Sequence, residues 1–311
     1  MPRPCWSLLL PFLVASSASA VTMAWTPVGN IANACDPGQL GCFGAVGYTY
    51  SIGTYEVTNA QYVELLNAKA ASDPLGLYNT SMASGGGITR SGVSGSYTYS
   101  VVAGRGDMPV NYTSFFDAAR FANWMNNGQG SGDTETGAYT LSNGAPPNVT
   151  RNLGATVFLP SEDEWYKAAY YAPGTASYFD FPAGSNTVTT CSTPTTTANR
   201  ANCDHAVGGL AIVGSYSGSA SPYGTYDQGG NVREWNESLN GPSGRGQRGG
   251  DFDTDPFAFY AGVRGGAVPS YEDNASGFRL AMIVPEPGTG LLVIAGLLGL
   301  TGARRRARSQ P

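Results

Sequence analysis

Few residue types in this chain could do covalent or metal chemistry, and cysteine comes first among them. Cys5 lies in the N-terminal segment read below as a leader, which leaves Cys35, Cys42, Cys191 and Cys203. An even number of thiols in an exported chain favours disulfides. The pairs nearest in sequence, Cys35–Cys42 and Cys191–Cys203, would each staple a loop, although three connectivities stay open. No cysteine has a second one two residues away, which argues against a thiolate metal site. The single histidine, His205, stands between Asp204 and Ala206. A Ser-His-Asp triad would have to recruit it, and no nucleophile elbow accompanies it. It reads as a loop residue beside a disulfide. Arg105-Gly106-Asp107 reads as a loop turn. The Asn-x-Ser/Thr sequons at Asn79, Asn111, Asn148, Asn236 and Asn274 carry little weight here. Some of the 18 tyrosines could line a carbohydrate surface, while most read as core or loop anchors.

The elements that must hold these residues are short. Thr58-Asn59-Ala60-Gln61 is a capping box, followed by Tyr62, Leu65 and Leu66 at helical spacing. Ser114 to Asp117 opens a second helix with Ala118, Phe121, Ala122 and Met125 on one face. Ser161-Glu162-Asp163-Glu164 opens a third, which should bury Trp165, Ala168 and Ala169. Helices this short are not stable alone and must dock on the body of the domain. Strand candidates are 47–52, 97–102, 156–159, 210–213 and 278–283. Residues 68–106 and 172–198 are long Gly/Ser/Thr-rich connections of the kind that are usually functional or disordered. The expected class is α+β with little regular structure.

The two ends read as sorting signals. Residues 1–20 look like a signal peptide, with Arg3, an apolar run from Trp6 to Val14 and the small residues Ala18-Ser19-Ala20. Residues 21–45 form a lead-in and residues 46–283 one large domain. In the tail, 284–311, Pro285-Glu286-Pro287 precedes an apolar run from Gly288 to Ala303 and then Arg304, Arg305, Arg306 and Arg308. The run is somewhat short for a membrane span, and the basic cluster would keep the tail's end in the cytoplasm. That order of features resembles the PEP-CTERM sorting signal. The resemblance implies removal by an exosortase in a Gram-negative bacterium, with membrane attachment through the tail beforehand and an envelope or extracellular destination. Between the two signals the chain has 12 Lys and Arg against 21 Asp and Glu. This acidity disfavours nucleic acid as a partner and suits cation binding or solubility.

A series of phrases then adds up: Gly53-Thr54-Tyr55-Glu56-Val57-Thr58-Asn59, Met108-Pro109-Val110-Asn111-Tyr112, and Leu159-Pro160-Ser161-Glu162-Asp163-Glu164-Trp165. Gly229-Gly230-Asn231-Val232-Arg233-Glu234-Trp235, Arg248-Gly249-Gly250-Asp251-Phe252 and Gly277-Phe278-Arg279 follow in that order. The series resembles the formylglycine-generating, sulfatase-modifying (FGE-sulfatase) domain. The resemblance implies a C-type-lectin-like fold.

It also implies chemistry this chain has lost. The family's enzymes oxidise a substrate cysteine with a copper-binding cysteine pair just after the Arg-Gly-Gly-x-Phe phrase, because Cu(I) selects soft sulfur. Thr254 and Phe259 stand at those two positions, so no copper is expected. Branches that hold iron with several histidines are excluded by the lone His205. Calcium is what the resemblance leaves. Carried over position by position, the ligands of one site would be the Asp227 side chain, the Gly230 and Val232 carbonyls and the Glu234 carboxylate, a hard-oxygen set that suits Ca²⁺. A weaker second site would use Asn199, the Arg200 carbonyl and Asp204. The expectation is an exported, non-catalytic, lectin-like surface or matrix module with a polysaccharide or surface-protein ligand. The alternative is an enzyme with altered chemistry at the same cleft, using Asp253, Thr254, Asp255 and Tyr260.

Overall fold

The computed structural model describes residues 20–38, 41–141 and 148–283. The leader, apart from its last residue, and the whole PEP-CTERM-like tail lie outside the described residues.

Three helices start where their caps predict: α1 Asn59–Lys69, α2 Phe115–Asn126 and α3 Glu162–Tyr170. Each has a complete capping box, made by Thr58 with Gln61, Ser114 with Asp117 and Ser161 with Glu164. These reciprocal bonds satisfy backbone donors that the first helical turn leaves free. Glu162, Asp163 and Glu164 also place negative charge at the positive end of α3. α1 buries Tyr62, Leu65 and Leu66, and α2 buries Ala118, Phe121 and Ala122. On α2, Trp124 is buried and the expected Met125 only half-buried. The indole is fixed because its Nε1 donates to the Gly130 carbonyl at 3.0 Å.

The main core lies between these helices and two four-stranded sheets. Tyr62 stacks on Phe121 with centroids 6.0 Å apart, and Phe121 meets Phe278 edge-on at 5.5 Å. Each fully buried large side chain of this kind contributes about 1.5–3 kcal/mol. One sheet has the order Trp25–Val28, Tyr50–Gly53, Ala281–Ile283, Val157–Phe158, all antiparallel. The other runs Gly265–Ala267, Gly244–Arg248, Arg233–Asn240, Ser276–Phe278, with its last pair parallel.

Two strand expectations need correction. Residues 210–213 are not a strand: the Ala211 N–H donates to Asn231 Oδ1 at 2.9 Å and the Val213 N–H to the Asp107 carbonyl at 2.9 Å. Single tertiary bonds replace a ladder there. Residues 278–283 are split, because the chain changes sheet at Arg279 and Leu280, both fully buried. The connection 68–106 also has more order than expected. It contains a 3₁₀ turn, Thr80–Ala83, and the hairpin Ile88–Ser91 with Thr98–Val101.

Cys35 is bonded to Cys42 and Cys191 to Cys203, with Cα separations of 5.3 and 5.0 Å. The first bridge closes the small hairpin Asp36–Gly38 with Gly41–Phe43. The second ties the strand Thr190–Cys191 to the chain just beyond its parallel neighbour Arg200–Ala201. Among the described residues no helix is long and apolar enough to cross a membrane. The fold is α+β with little regular structure.

Candidate functional site

The turn after the Arg248 strand brings Thr254 and Phe259 together. Gly250 has φ +60°, and a Cβ there would lie 2.7 Å from the Phe259 ring and 2.8 Å from Thr254 Oγ1. The two residues therefore flank one point, as a reactive pair would have to. Neither offers a thiolate. Thr254 Oγ1 accepts from the Asp251 N–H at 2.9 Å and donates to the Asp251 carbonyl at 3.0 Å, which closes a local turn. Phe259 is fully buried in a small cluster with Phe181, Ala201 and Cys203. The ring thus shares its buried cluster with one half of the Cys191–Cys203 disulfide.

The two carboxylates beside this point serve separate local roles. Asp253 Oδ1 lies 2.6 Å from His205 Nε2, with both side chains well exposed. Asp255 caps the short turn Pro256–Phe259 by accepting from the Phe257 N–H at 2.8 Å. Tyr260 stacks on Phe257 with centroids 5.4 Å apart. A cavity of about 250 Å³ remains next to Thr254, bordered by Arg233, Arg248 and Asp251.

The segment Asp227–Glu234 lies behind this turn and approaches a buried charged centre. Glu234 is fully buried, and both its oxygens are taken. Oε2 accepts from Trp165 Nε1 at 2.8 Å and Arg279 Nε at 2.6 Å, while Oε1 accepts from Arg279 Nη2 at 2.6 Å. Asp227 has φ +58°, and its Oδ2 accepts from the Gly214 N–H at 2.5 Å. Burial pushes its carboxyl up to about 6, against the pull of the Gly214 N–H and Arg279. The sequence reading missed Glu56 as a member of this centre. It is 1% exposed and neither carboxyl oxygen has a hydrogen-bond partner among the described residues. Burial, then Asp227 and Glu234, hold it well above the usual carboxylate range, with Arg279 opposing. Three carboxyl groups thus surround one guanidinium. The available signals were Glu56 and Arg279 themselves, since each sits inside a phrase that carries the resemblance.

The second carried-over set is met in part: Asn199 Oδ1 is buried with no hydrogen-bond partner among the described residues. The Asn199 amide donates to Ser185 Oγ and the Thr187 carbonyl, whereas the Asp204 N–H donates to the Thr254 carbonyl. Among the described residues no three His, Cys, Asp or Glu side chains form a metal cage by themselves.

The sulfatase-modifying factor enzyme 1-like domain matches residues 25–284, most of the chain. The chain belongs to that family. Among solved structures, Treponema denticola variable protein 1 is similar with a TM-score of 0.54 at 19% identity, covering 86% of this chain and 98% of that one. CarF is similar with a TM-score of 0.52 at 20% identity, covering 85% of this chain and 99% of that one. At these identities the likeness is one of fold. No curated protein matches the chain.

At the two positions that the resemblance gives to a reactive cysteine pair, this member of the sulfatase-modifying factor enzyme 1-like family has a methyl-bearing hydroxyl and a phenyl ring. Its calcium quartet is altered as well. Glu234 is committed to Arg279 and Trp165, so the quartet as carried over does not fit a cation. What fits is different: two unpartnered buried oxygens on Glu56 and an excess of acid over base in the centre. A bound cation with Glu56, Asp227 and backbone carbonyls as hard-oxygen donors would balance both.

Proposed function

We propose that this protein is an exported, non-catalytic binding module whose ligand is an extracellular saccharide. The observation that carries this reading is Phe259, which stands where the resemblance calls for a thiolate and is buried in one cluster with Cys203. Cu(I) chemistry has no soft ligand there. The two disulfides suit an oxidising compartment. The leader and the tail's Pro-Glu-Pro, apolar and arginine features support export and exosortase processing, with transient membrane attachment before the tail is removed. A calcium ion at Glu56 and Asp227 belongs to the same reading, as a structural ion that neutralises the buried centre.

The experiment pairs loss of one activity with gain of another. The full chain is supplied with copper, oxygen and a peptide carrying the cysteine that the family's enzymes oxidise, and the peptide mass is followed. It should not change, and conversion to the aldehyde would overturn the reading. In parallel, the protein should be retained on polysaccharide from the producing cell's own matrix and released by competing free polysaccharide. For export, protein recovered from cells with an exosortase should be shorter by the tail than protein from cells without it.

A further inference from the structure

The structure assigns a saccharide site to a cavity distinct from the Thr254–Phe259 turn: the hollow of about 460 Å³ between the start of α1, the glycines before residue 88 and the loop 207–210. This inference rests on the saccharide-binding reading above and gives it a location. The volume falls within the ~300–1,000 Å³ usual for small-ligand sites.

Asn59 lines this cavity and is 1% exposed. Its Nδ2 donates to the Arg105 carbonyl at 2.9 Å and the Met108 carbonyl at 3.2 Å, which fixes the orientation of the amide. Its Oδ1 is buried with no partner among the described residues. A buried acceptor left open is costly, so it calls for a donor from outside the chain.

Tyr112 supplies a second, independent sign. It has φ +54°, a left-handed conformation rare for a bulky residue and concentrated at functional sites. Its hydroxyl has no hydrogen bond among the described residues. A Cβ on Gly85 would lie 2.1 Å from that hydroxyl, so only glycine lets Tyr112 sit where it does. Arg105 is the one charged residue in the lining, and its Nη1 donates to the Gly86 carbonyl. Met108, Leu210 and Phe252 supply apolar surface.

The ligand must therefore donate to Asn59, exchange hydrogen bonds with Tyr112 and Arg105, and lay C–H surface on the apolar residues. A sugar ring meets all three demands, because each hydroxyl both donates and accepts. A metal cation meets Arg105 with like charge. A simple anion has nothing to give Asn59 Oδ1.

The test uses the full chain and a panel of disaccharides built from glucose, galactose, N-acetylglucosamine and glucuronic acid, with binding measured by calorimetry. Gly209→Trp adds bulk to the cavity wall at a position where a Cβ meets nothing within 4 Å. Tyr112→Phe removes only the hydroxyl, and Arg105→Ala only the charge and its stem. Leu153→Ala, fully exposed and outside this lining, is the control. At least one sugar should bind, with affinity down about tenfold or more in Gly209→Trp, severalfold in the other two and unchanged in the control. If Gly209→Trp fails to fold, the Tyr112→Phe result decides. A sugar that binds the wild type and the three cavity variants equally would overturn this site and leave the module a lectin. No binding of any panel member to the wild type would overturn both the site and the reading it rests on.

Discussion

Arg279 holds Glu234 through two hydrogen bonds of 2.6 Å, one to each carboxylate oxygen, with both side chains wholly removed from water. The same guanidinium also donates to the Gly53 carbonyl at 2.9 Å and the Tyr226 carbonyl at 2.8 Å. It thereby joins the point where the chain changes sheet to the segment that leads into Asp227.

Removing that guanidinium should be among the most damaging single changes in the domain. Arg279→Met leaves Glu234 buried without a partner and should cost about 3–5 kcal/mol in urea unfolding. Arg279→Lys should recover only part of the loss, since an ammonium cannot make the paired fork. Equal stability of Arg279→Met and wild type would contradict this account of the centre.

Calcium should act through Glu56. With excess EDTA and then millimolar calcium, the wild type should melt higher in calcium, and saturation at 100 times the dissociation constant adds about 2.7 kcal/mol. Glu56→Gln together with Asp227→Asn should abolish the shift while keeping the fold. A shift that survives the double change would place the ion elsewhere.

Asp117 gives the domain a pH slope. Burial, then Glu272, raise its carboxyl to about 7 from an ordinary value of 3.8, against the Ser114 hydroxyl and N–H and Arg120. Glu272 is also raised, chiefly by burial. The fold therefore favours the protonated form. The stability this contributes is complete below pH about 3.8 and is lost as pH climbs through about 7. In EDTA, Asp117→Asn should flatten the fall in melting temperature between pH 5.5 and 8, because the amide still accepts from Ser114. An unchanged slope would show that other groups set it.

Phe259 should matter to stability and Thr254 little. Phe259→Ala opens a cavity against Cys203 and should cost about 3–5 kcal/mol. Thr254→Ala loses hydrogen bonds within one partly exposed turn and should cost about 0.5–1.5 kcal/mol. The reverse order in denaturant titrations would mean that the pair's place is held by the hydroxyl.

The helices were legible because their signals are local. Thr58 with Gln61, Ser114 with Asp117 and Ser161 with Glu164 each fix a start within four residues of chain. The Arg233–Asn240 and Gly244–Arg248 hairpin was not legible, since its buried residues include Asn236, Arg245, Gln247 and Arg248, polar side chains that only tertiary partners make tolerable. Arg245, for example, lies over the Phe115 ring at 4.3 Å. The break at Arg279 and Leu280 was hidden for the same reason. Phe278 to Ile283 reads as one strand with a single arginine until Glu234, 45 residues upstream, claims that arginine. At the candidate site, the loss of the cysteine pair was plain from residue types alone. The isolation of Glu56 was not, because it depends on which groups fail to reach it.

The place of Ala281–Ile283 in its sheet bears on how the domain would carry a load. That strand is the last described segment and lies between Tyr50–Gly53 and Val157–Phe158, whereas Trp25–Val28, near the other end, lies at an edge. A pull on the C-terminal end meets two hydrogen-bond ladders at once, and a pull on the N-terminal end meets one. Tethered from its C-terminus, the domain resists force at its better-braced end and yields first at the other.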